Sequence, residues 1–291
     1  MTSARAGSTG QLAPGVVRIQ APNLSPFTAQ GTNTYVVGET SPCIIDPGPD
    51  HESHLDAVLA NLRGRRPAAI LVTHAHRDHS GLAPALARRT GAPVMAFGDA
   101  WAGLRPGSGH LEPEWGADLH FAPDRLLADG ERIRLEDRDL TVCHTPGHMG
   151  NHLCFDDGAQ LFTGDHAMGF ATSLVSPPEG DMGDYITSLE RLLTLGQRQL
   201  LPGHGEPVPD GQARLSELMA HRRAREAQVL HLLKQGPATP ADVATVLYPN
   251  LHGQLKSAAA RTVLAHLMLL ERTSQVTRDG QPGIDAAFRC V

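Results

Sequence analysis

The sequence predicts an α/β fold in which two halves, each a sheet with helices, pack sheet against sheet, followed by a small C-terminal domain. Three observations predict it. Short apolar runs of strand length begin the chain and then alternate with helical patterns. The same order is repeated before residue 205. A Pro/Gly-rich stretch at 202–211 then gives way to a mostly helical region.

In the first half, strands and helices alternate between turns rich in Pro, Gly and Asn. Strands are predicted at 16–20, 34–38, 43–48, 68–73 and 94–97, and helices at 51–63 and 82–89. The run at 68–73 is continuously apolar, which is typical of a strand buried on both faces. The first ten or so residues are polar, and we expect them to be frayed.

The second half repeats this order after an irregular segment. Residues 99–123 contain Gly, Pro, His and both tryptophans, Trp101 and Trp115, without periodicity, which indicates a lid or a surface loop. Strands are predicted at 132–135, 140–143, 152–155, 160–163 and 199–202, with a helix at 182–195.

The region after the linker is predicted to be a separate domain. It has helices at 214–234, 240–247 and 255–271 and strands at 274–277 and 286–290, an order that resembles a winged helix. Residues 210–291 hold ten basic and seven acidic residues, whereas residues 1–209 hold 15 basic and 24 acidic ones. We therefore place a catalytic domain at 1–209 and a mildly basic winged-helix-like α domain at 210–291.

Composition excludes several classes of protein. With 41% hydrophobic and 19% charged residues, the 291-residue chain can bury a full core and is not disordered. A net charge of −6 gives no global basic field for nucleic acid or membranes. No apolar stretch suits a signal peptide or a membrane span, so we expect a cytoplasmic protein without membrane contact. The long helix at 214–234 offers a surface on which a homodimer could form.

The strongest chemical signal follows the strand at 68–73. His74 and His76 stand two residues apart, so on extended backbone both imidazoles project from one side and can share a metal ion. Asp78 and His79 come where the chain turns into a helix, which aims them at a second position nearby. Four candidate ligands within six residues after a buried strand make solvated loop histidines an improbable alternative.

Three further candidate ligands occur singly in similar contexts. His148, Asp165 and His204 each lie just past an apolar strand, in HTPGH, FTGD and LPGHG. Taken alone, each would more often be an ordinary loop residue. Their common placement at strand ends predicts that they gather in one cleft with the first four.

HxHxDH, HTPGH, FTGD and LPGHG in this order resemble the signature of the metallo-β-lactamase superfamily, over about residues 31–205. The resemblance implies a four-layer αββα sandwich. It places His74, His76 and His148 on a first metal and Asp78, His79 and His204 on a second, with Asp165 bridging. The resemblance implies two divalent metal ions, with Zn²⁺ favoured over Fe or Mn. Two features depart from the pattern of the family. The segment 99–123 matches none of its motifs, and Asn151 is an unusual residue before His152.

The tail narrows the resemblance to one branch. His221-Arg222-x-x-Arg225-Glu226-x-Gln228, with Ala259 and His266-Leu267-x-x-Leu270-Glu271, is similar to the winged-helix tail of β-lactamase-like proteins. That branch includes an endoribonuclease and glyoxalase II-like proteins.

The resemblance implies a dinuclear metal-dependent hydrolase that uses a metal-bridging hydroxide, with Asp78 and Asp165 as catalytic residues. His166, Tyr185 and the region of His110 are candidates for protonating the leaving group, although structural roles are favoured for them. His144 and His152 flank His148 and could orient it or line the pocket. Core histidines bonded to backbone are an equal alternative.

Four functions stay open at this point. Phosphodiesters of single-stranded RNA are the first predicted substrate, supported by the basic winged-helix tail and opposed by the acidic catalytic domain. A glyoxalase II-like hydrolase of small thioesters, esters or lactones fits the ligand set equally well. An iron-dependent sulfur dioxygenase shares many ligands. A DNA-binding regulator with a decayed enzyme domain is disfavoured by the intact ligand set.

Overall fold

The computed structural model describes residues 8–105, 111–113 and 116–291. The first sheet has seven strands that stand side by side in chain order: β1 (Thr9–Ala13), β2 (Val16–Gln20), β3 (Asn33–Val37), β4 (Cys43–Ile45), β5 (Ala69–Leu71), β6 (Val94–Ala96) and β7 (Arg125–Leu126). Strands β1 to β4 pair antiparallel, and β4 to β7 pair parallel. Three helices connect the parallel strands: α1 (Glu52–Leu62), α2 (Arg77–Ser80) and α3 (Ala83–Thr90).

The second sheet has five strands in the order β12-β11-β10-β9-β8. Its strands are β8 (Arg132–Arg134), β9 (Asp139–His144), β10 (Leu153–Asp156), β11 (Gln160–Gly164) and β12 (Gln199–Pro202). Strand β12 pairs parallel to β11, and helix α4 (Met182–Leu193) makes the crossover between them. Asp181 begins this helix by accepting a hydrogen bond from Asp184 N, which satisfies one of the free N–H groups of the first turn.

The two sheets face each other across an apolar core, as the sequence predicted. Tyr35 and Ile45 from the first sheet pack with Phe155 and Phe162 from the second, and all four side chains are buried. The outer face of the first sheet packs on α1 and α3. The outer face of the second packs on α4. Each sheet therefore buries both faces, which gives the four-layer αββα sandwich.

The C-terminal region contains α5 (Gly211–Leu233), α6 (Pro240–Leu247), α7 (Gly253–Arg272), β13 (Val276–Arg278) and β14 (Phe288–Cys290). Helix α6 begins with a capping box between Thr239 and Asp242. The region has its own core, yet Leu215 and Leu218 of α5 and Ala265 of α7 also pack in the cluster beneath α4. Helix α5 thus contributes to two cores, and the division at 209/210 stays a prediction.

Two short strands differ from the predictions. We expected the first ten residues to be frayed, but Thr9 and Gly10 belong to β1, which pairs with β2. Its TGQLA sequence has a single β-branched residue, Thr9, and no aromatic residue, so it shows little of the composition that marks a strand. The two-residue β7 was not predicted either, because two residues show no periodicity. Among the described residues, no helix has both the length and the apolarity to cross a membrane.

Candidate metal centre

All seven predicted ligands lie at one edge of the sandwich, where the two sheets are joined by backbone hydrogen bonds. Leu153 N donates to Thr73 O, and Asn33 N donates to Gly203 O. Strand β5 leads into His74 and into His76, which still has extended backbone and precedes α2. The single turn of α2 then carries Asp78 and His79 back toward the same edge.

The first group of ligands consists of three histidines whose nitrogens converge. His76 Nδ1 lies 3.0 Å from His74 Nε2 and 3.1 Å from His148 Nε2. All three side chains are buried. This group combines the paired histidines after β5 with the single histidine after β9, the set that the resemblance implies for a first metal.

The second group consists of Asp78, His79 and His204. His204 Nε2 lies 3.2 Å from His79 Nε2 and 3.3 Å from Asp78 Oδ2. Both histidines are buried, whereas the Asp78 side chain keeps 28% of its surface exposed. Asp78 is therefore the ligand through which this group faces solvent.

Asp165 lies between the two groups. Its Oδ1 is 3.4 Å from His79 Nε2, and its Oδ2 is 3.4 Å from His204 Nε2 and 3.8 Å from His148 Nε2. It also forms a third potential metal-binding set with His74 and His79. One carboxylate thus reaches both groups, as expected of a bridging ligand.

The hydrogen bonds around the first group show that the site suits a cation. The acceptor for His148 Nδ1 is Leu174 O at 2.6 Å, and a carbonyl can only accept, so Nδ1 carries the proton. Thr73 Oγ1 donates to Asp46 and therefore accepts from His74 Nδ1 at 2.9 Å. Both imidazoles consequently turn the lone pair of Nε2 toward His76, an arrangement that fits a divalent metal ion.

Asp46 is a candidate orienting residue that the sequence motifs do not reveal. It follows β4, is buried, and has a φ of 50°, in the left-handed region. Its Oδ2 accepts from His79 Nδ1 at 2.8 Å and from Thr73 Oγ1 at 2.8 Å, so it orients His79 directly and His74 through Thr73. The only signal in the sequence was its position at a strand end in IDPG, a position that the ligands share.

The two groups differ in the pKa values of their histidines. Burial and the neighbouring histidines lower the pKa of His74 well below its usual range and that of His76 to about 3, so both are neutral. Burial also opposes protonation of His79 and His204, but Asp165 and Asp78 outweigh it. These carboxylates raise the pKa of His79 well above its usual range and that of His204 to about 9. Burial opposes ionisation of Asp165, but His204 and His79 hold its pKa well below the ordinary value.

The glycine of PGHG explains how tightly the second group is packed. A Cβ on Gly203 would lie 2.6 Å from both Asp165 Oδ1 and His79 Cε1. Any side chain there would displace two ligands, so this motif needs glycine beside His204 for reasons of space.

Neither predicted neighbour of His148 contacts that side chain by a hydrogen bond. His144 Nε2 donates to Gly150 O, and its ring stacks on Phe97 at 3.8 Å. His152 bonds Thr145 through Nδ1 and stacks on the ring of His74 at 5.2 Å. His144 is thus structural, while the His152 ring lies against His74 and also edge-on to His148, at 6.2 Å.

The candidates for a leaving-group acid are not placed for that role. Tyr185 is fully buried and donates its hydroxyl proton to His166 O at 2.9 Å. His166 is also fully buried, and burial lowers its pKa to about 3. His110, like Trp115, lies outside the described residues, and Trp101 is half exposed.

Part of the irregular segment 99–123 lies against the metal centre. Arg77 N donates to Gly116 O, and Ser80 Oγ donates to Asp118 Oδ2 at 2.7 Å. Ala117 forms an isolated bridge with His76. This part of the segment therefore covers the side of the centre formed by His76 and α2.

Relatives of the chain share this architecture. The metallo-beta-lactamase superfamily matches residues 27–204, and the beta-lactamase associated winged helix domain matches residues 239–285. A beta-lactamase-like protein 2 homolog of Drosophila melanogaster is 32% identical over 281 residues, 91% of either chain. An atrochrysone carboxyl ACP thioesterase of Paecilomyces divaricatus is 33% identical over 292 residues, covering 96% of this chain and 83% of its own.

A solved structure gives the same result over nearly the whole chain. A metallo-beta-lactamase family protein from Thermus thermophilus superposes with a TM-score of 0.78 at 27% identity, covering 97% of this chain and 100% of its own. The matched region contains all seven of the converging ligands as well as the C-terminal helices. The chain therefore belongs to the metallo-β-lactamase superfamily, within which it has a C-terminal winged helix domain.

Proposed function

We propose that this protein is a dinuclear metal-dependent hydrolase of thioesters, with Zn²⁺ as its metal. The observation that carries the proposal is the convergence of the two ligand groups on either side of Asp165. Two divalent ions in such groups supply a water nucleophile near neutral pH and stabilise negative charge on the carbonyl oxygen. His74, His76 and His148 would hold one ion, Asp78, His79 and His204 the other, and Asp165 both.

Asp78 is the residue we assign to orienting the nucleophile. Its side chain is the most exposed of the seven predicted ligands, and Oδ2 lies 3.3 Å from His204 Nε2 and 3.7 Å from His79 Nε2. Next to His79 and His204 its pKa is held below the ordinary value, although burial opposes ionisation. A carboxylate that stays ionised can accept a hydrogen bond from a water molecule and aim it at a carbonyl carbon.

The leaving group favours a thioester. A thiol has a pKa of about 8.5, so a thiolate departs without first receiving a proton. An alkoxide is far more basic and benefits from a general acid. Since Tyr185 donates to a backbone carbonyl and His166 is neutral, neither supplies that acid. A thioester is the substrate class that the described residues suit without one.

The basic tail gives little support to the prediction of an RNA substrate. Each of its eight arginines has a partner within the chain. Five of them contact the catalytic domain: Arg214, Arg222, Arg223, Arg261 and Arg272. Guanidinium groups used in this way are not free to follow a phosphate backbone. The thioesterase among the relatives supports the acyl-thiol alternative instead.

The test is hydrolysis of a short panel of acyl-thiol substrates by zinc-loaded protein, with labelled single-stranded RNA assayed in parallel. Asp165→Asn, purified identically, is the matched control because it keeps the size of the side chain. We expect thioester turnover that disappears in the variant and no cleavage of RNA. Cleavage of RNA that depends on Asp165, with thioesters untouched, would replace this proposal with the nuclease.

A further inference from the structure

The structure points to a role for the C-terminal domain in the metal centre itself. We propose that arginines of α5 and α7 position His148 by holding the segment 168–181, which connects the loop after β11 to α4. This inference rests on the metal-binding part of the proposed function. It concerns how one ligand is held, and it does not depend on which substrate is hydrolysed.

Segment 168–181 wraps the loop that carries His148. Leu174 O accepts from His148 Nδ1 at 2.6 Å. Gly150 N donates to Glu179 O, and Asp181 N donates to Gly147 O. A Cβ on Gly180 would lie 2.8 Å from His148 O, so the two stretches of backbone are in direct contact. The position of this segment therefore fixes both the ring and the backbone of His148.

The segment itself is held from the C-terminal helices. Arg214 of α5 donates to Met168 O and Ala171 O at 2.8 Å each. Arg222, also of α5, donates to Ser173 O, next to the carbonyl that His148 uses. These bonds reach main-chain carbonyls, so they set the path of the backbone and do not depend on the side chains of the segment.

Helix α7 holds the other end of the segment. Arg261 donates to Ser176 Oγ and to Pro177 O, and also reaches Glu112 O of the irregular segment. Arg272 makes a two-pronged ion pair with Asp181, at 2.7 and 2.9 Å. The two arginines are eleven residues apart, about three helical turns, and therefore lie on one face of α7. We call Arg214, Arg222, Arg261 and Arg272 the arginine clamp.

Arg222 is the member whose placement is hardest to explain by stability alone. It is 1% exposed, and within the described part of the chain it forms no ion pair. Its guanidinium stacks over the Tyr185 ring at 4.8 Å, and its Nε has no hydrogen-bond partner. Burying a cation without a carboxylate is costly, so an apolar side chain would stabilise this site more simply. A role in geometry accounts for the arginine.

The test is zinc affinity of a protein in which the three-histidine group is complete and the second group lacks one ligand. His79→Ala removes a ligand of the second group and leaves His74, His76 and His148 complete. In that background we expect Arg222→Met and Arg261→Gln each to weaken zinc binding about tenfold or more, the range found when groups that orient a ligand are removed. Arg222→Lys, which retains one donor for Ser173 O, should recover part of the loss. Zinc binding is measured by competition with a chelator.

Two controls separate positioning from loss of stability. Arg223→Gln alters the neighbouring arginine, whose exposed ion pair with Glu190 lies outside the clamp, and should leave zinc affinity unchanged. Val229→Ala weakens the separate C-terminal core and should lower the melting temperature without changing zinc affinity. If Arg222→Met does not fold, Arg261→Gln and Arg272→Gln decide the question.

The outcomes distinguish this inference from the proposed function. If the His79→Ala protein binds no zinc, the metal assignment of the proposed function fails. If it binds zinc and the folded clamp variants bind it as tightly as their parent, the metal assignment stands and the clamp is overturned. An equal loss in Arg223→Gln would also overturn it, because the effect would then not belong to these contacts.

Discussion

The two ligand groups of the centre differ in how their nitrogens are kept ready for metal. In the three-histidine group, burial lowers the pKa of His74 and His148, and outward hydrogen bonds fix the proton on Nδ1. In the second group, Asp78 and Asp165 raise the pKa of His204 to about 9, although burial opposes protonation. The first group is neutral without metal, and the second holds protons in place of metal.

The type of ligand alone therefore does not determine the protonation state of a site. Both groups contain histidines in the same cleft, yet the charge around them gives opposite protonation. The second group compensates its carboxylates with imidazolium protons, so an entering cation must displace them. The first group has nothing to displace. We therefore expect it to fill first at neutral pH.

The largest effect should follow loss of the one residue that joins the groups. Asp165→Ala removes the carboxylate that lies within 3.8 Å of ligands on both sides. We expect turnover to fall by about three orders of magnitude, as when a main electrostatic element of a site is lost. Circular dichroism checks that the fold is intact. A folded variant that keeps wild-type turnover would contradict the two-metal account.

The pH dependence of metal binding should separate the groups next. Because the pKa values of His79 and His204 are raised in the folded protein, protonation of these two histidines stabilises the metal-free fold. This contribution is complete below the pKa of an unfolded histidine, about 6.5, and for His204 it is lost as pH rises through about 9. Metal affinity of the second group should therefore rise with pH up to that point, about tenfold per pH unit for each proton displaced. The affinity of the first group should change much less near neutrality.

Calorimetry in buffers of different ionisation enthalpy measures these protons directly. We expect release on filling the second group and little release on filling the first. Equal proton release from both groups would remove the distinction between them.

Asp46→Asn should weaken both groups, the second more than the first. Asp46 bonds His79 directly but reaches His74 only through Thr73. Losses of about 10–100-fold in metal affinity are usual when such an orienting carboxylate is changed. Asp56→Asn, on the exposed face of α1, is the matched control and should have no effect. A larger loss in the first group would reverse the assignment of Asp46.

The smallest effect is expected at His144. Its ring stacks on Phe97 and its Nε2 bonds Gly150 O, without a hydrogen bond to any ligand. His144→Gln should leave the metal affinity of either group within about twofold, in the range of substitutions away from buried networks. Metal titration of the variant beside wild type measures this. A loss as large as that of Asp46→Asn would place His144 among the groups that orient ligands.

Much of the fold could be predicted from local patterns in the sequence, whereas the division of the ligands into two groups was implied by the resemblance of four motifs to a known family. A strand end followed by HxHxDH predicts where four side chains will go, and the structure places all four in the centre. Asp46 was missed because an isolated aspartate after a strand has no spacing to distinguish it. The role of His144 stayed open between orienting His148 and bonding to backbone, because sequence proximity to His148 does not give the direction of its ring. The clamp joins residues 43 to 91 positions apart, and no local pattern predicts such contacts.

Stepwise addition of zinc to metal-free protein, with bound metal and thioester turnover followed in the same samples, shows whether both ligand groups must be filled for catalysis. We expect two equivalents to bind per chain, with little turnover after the first and full turnover only after the second. Full turnover after one equivalent, with no further increase after the second, would contradict a dinuclear mechanism.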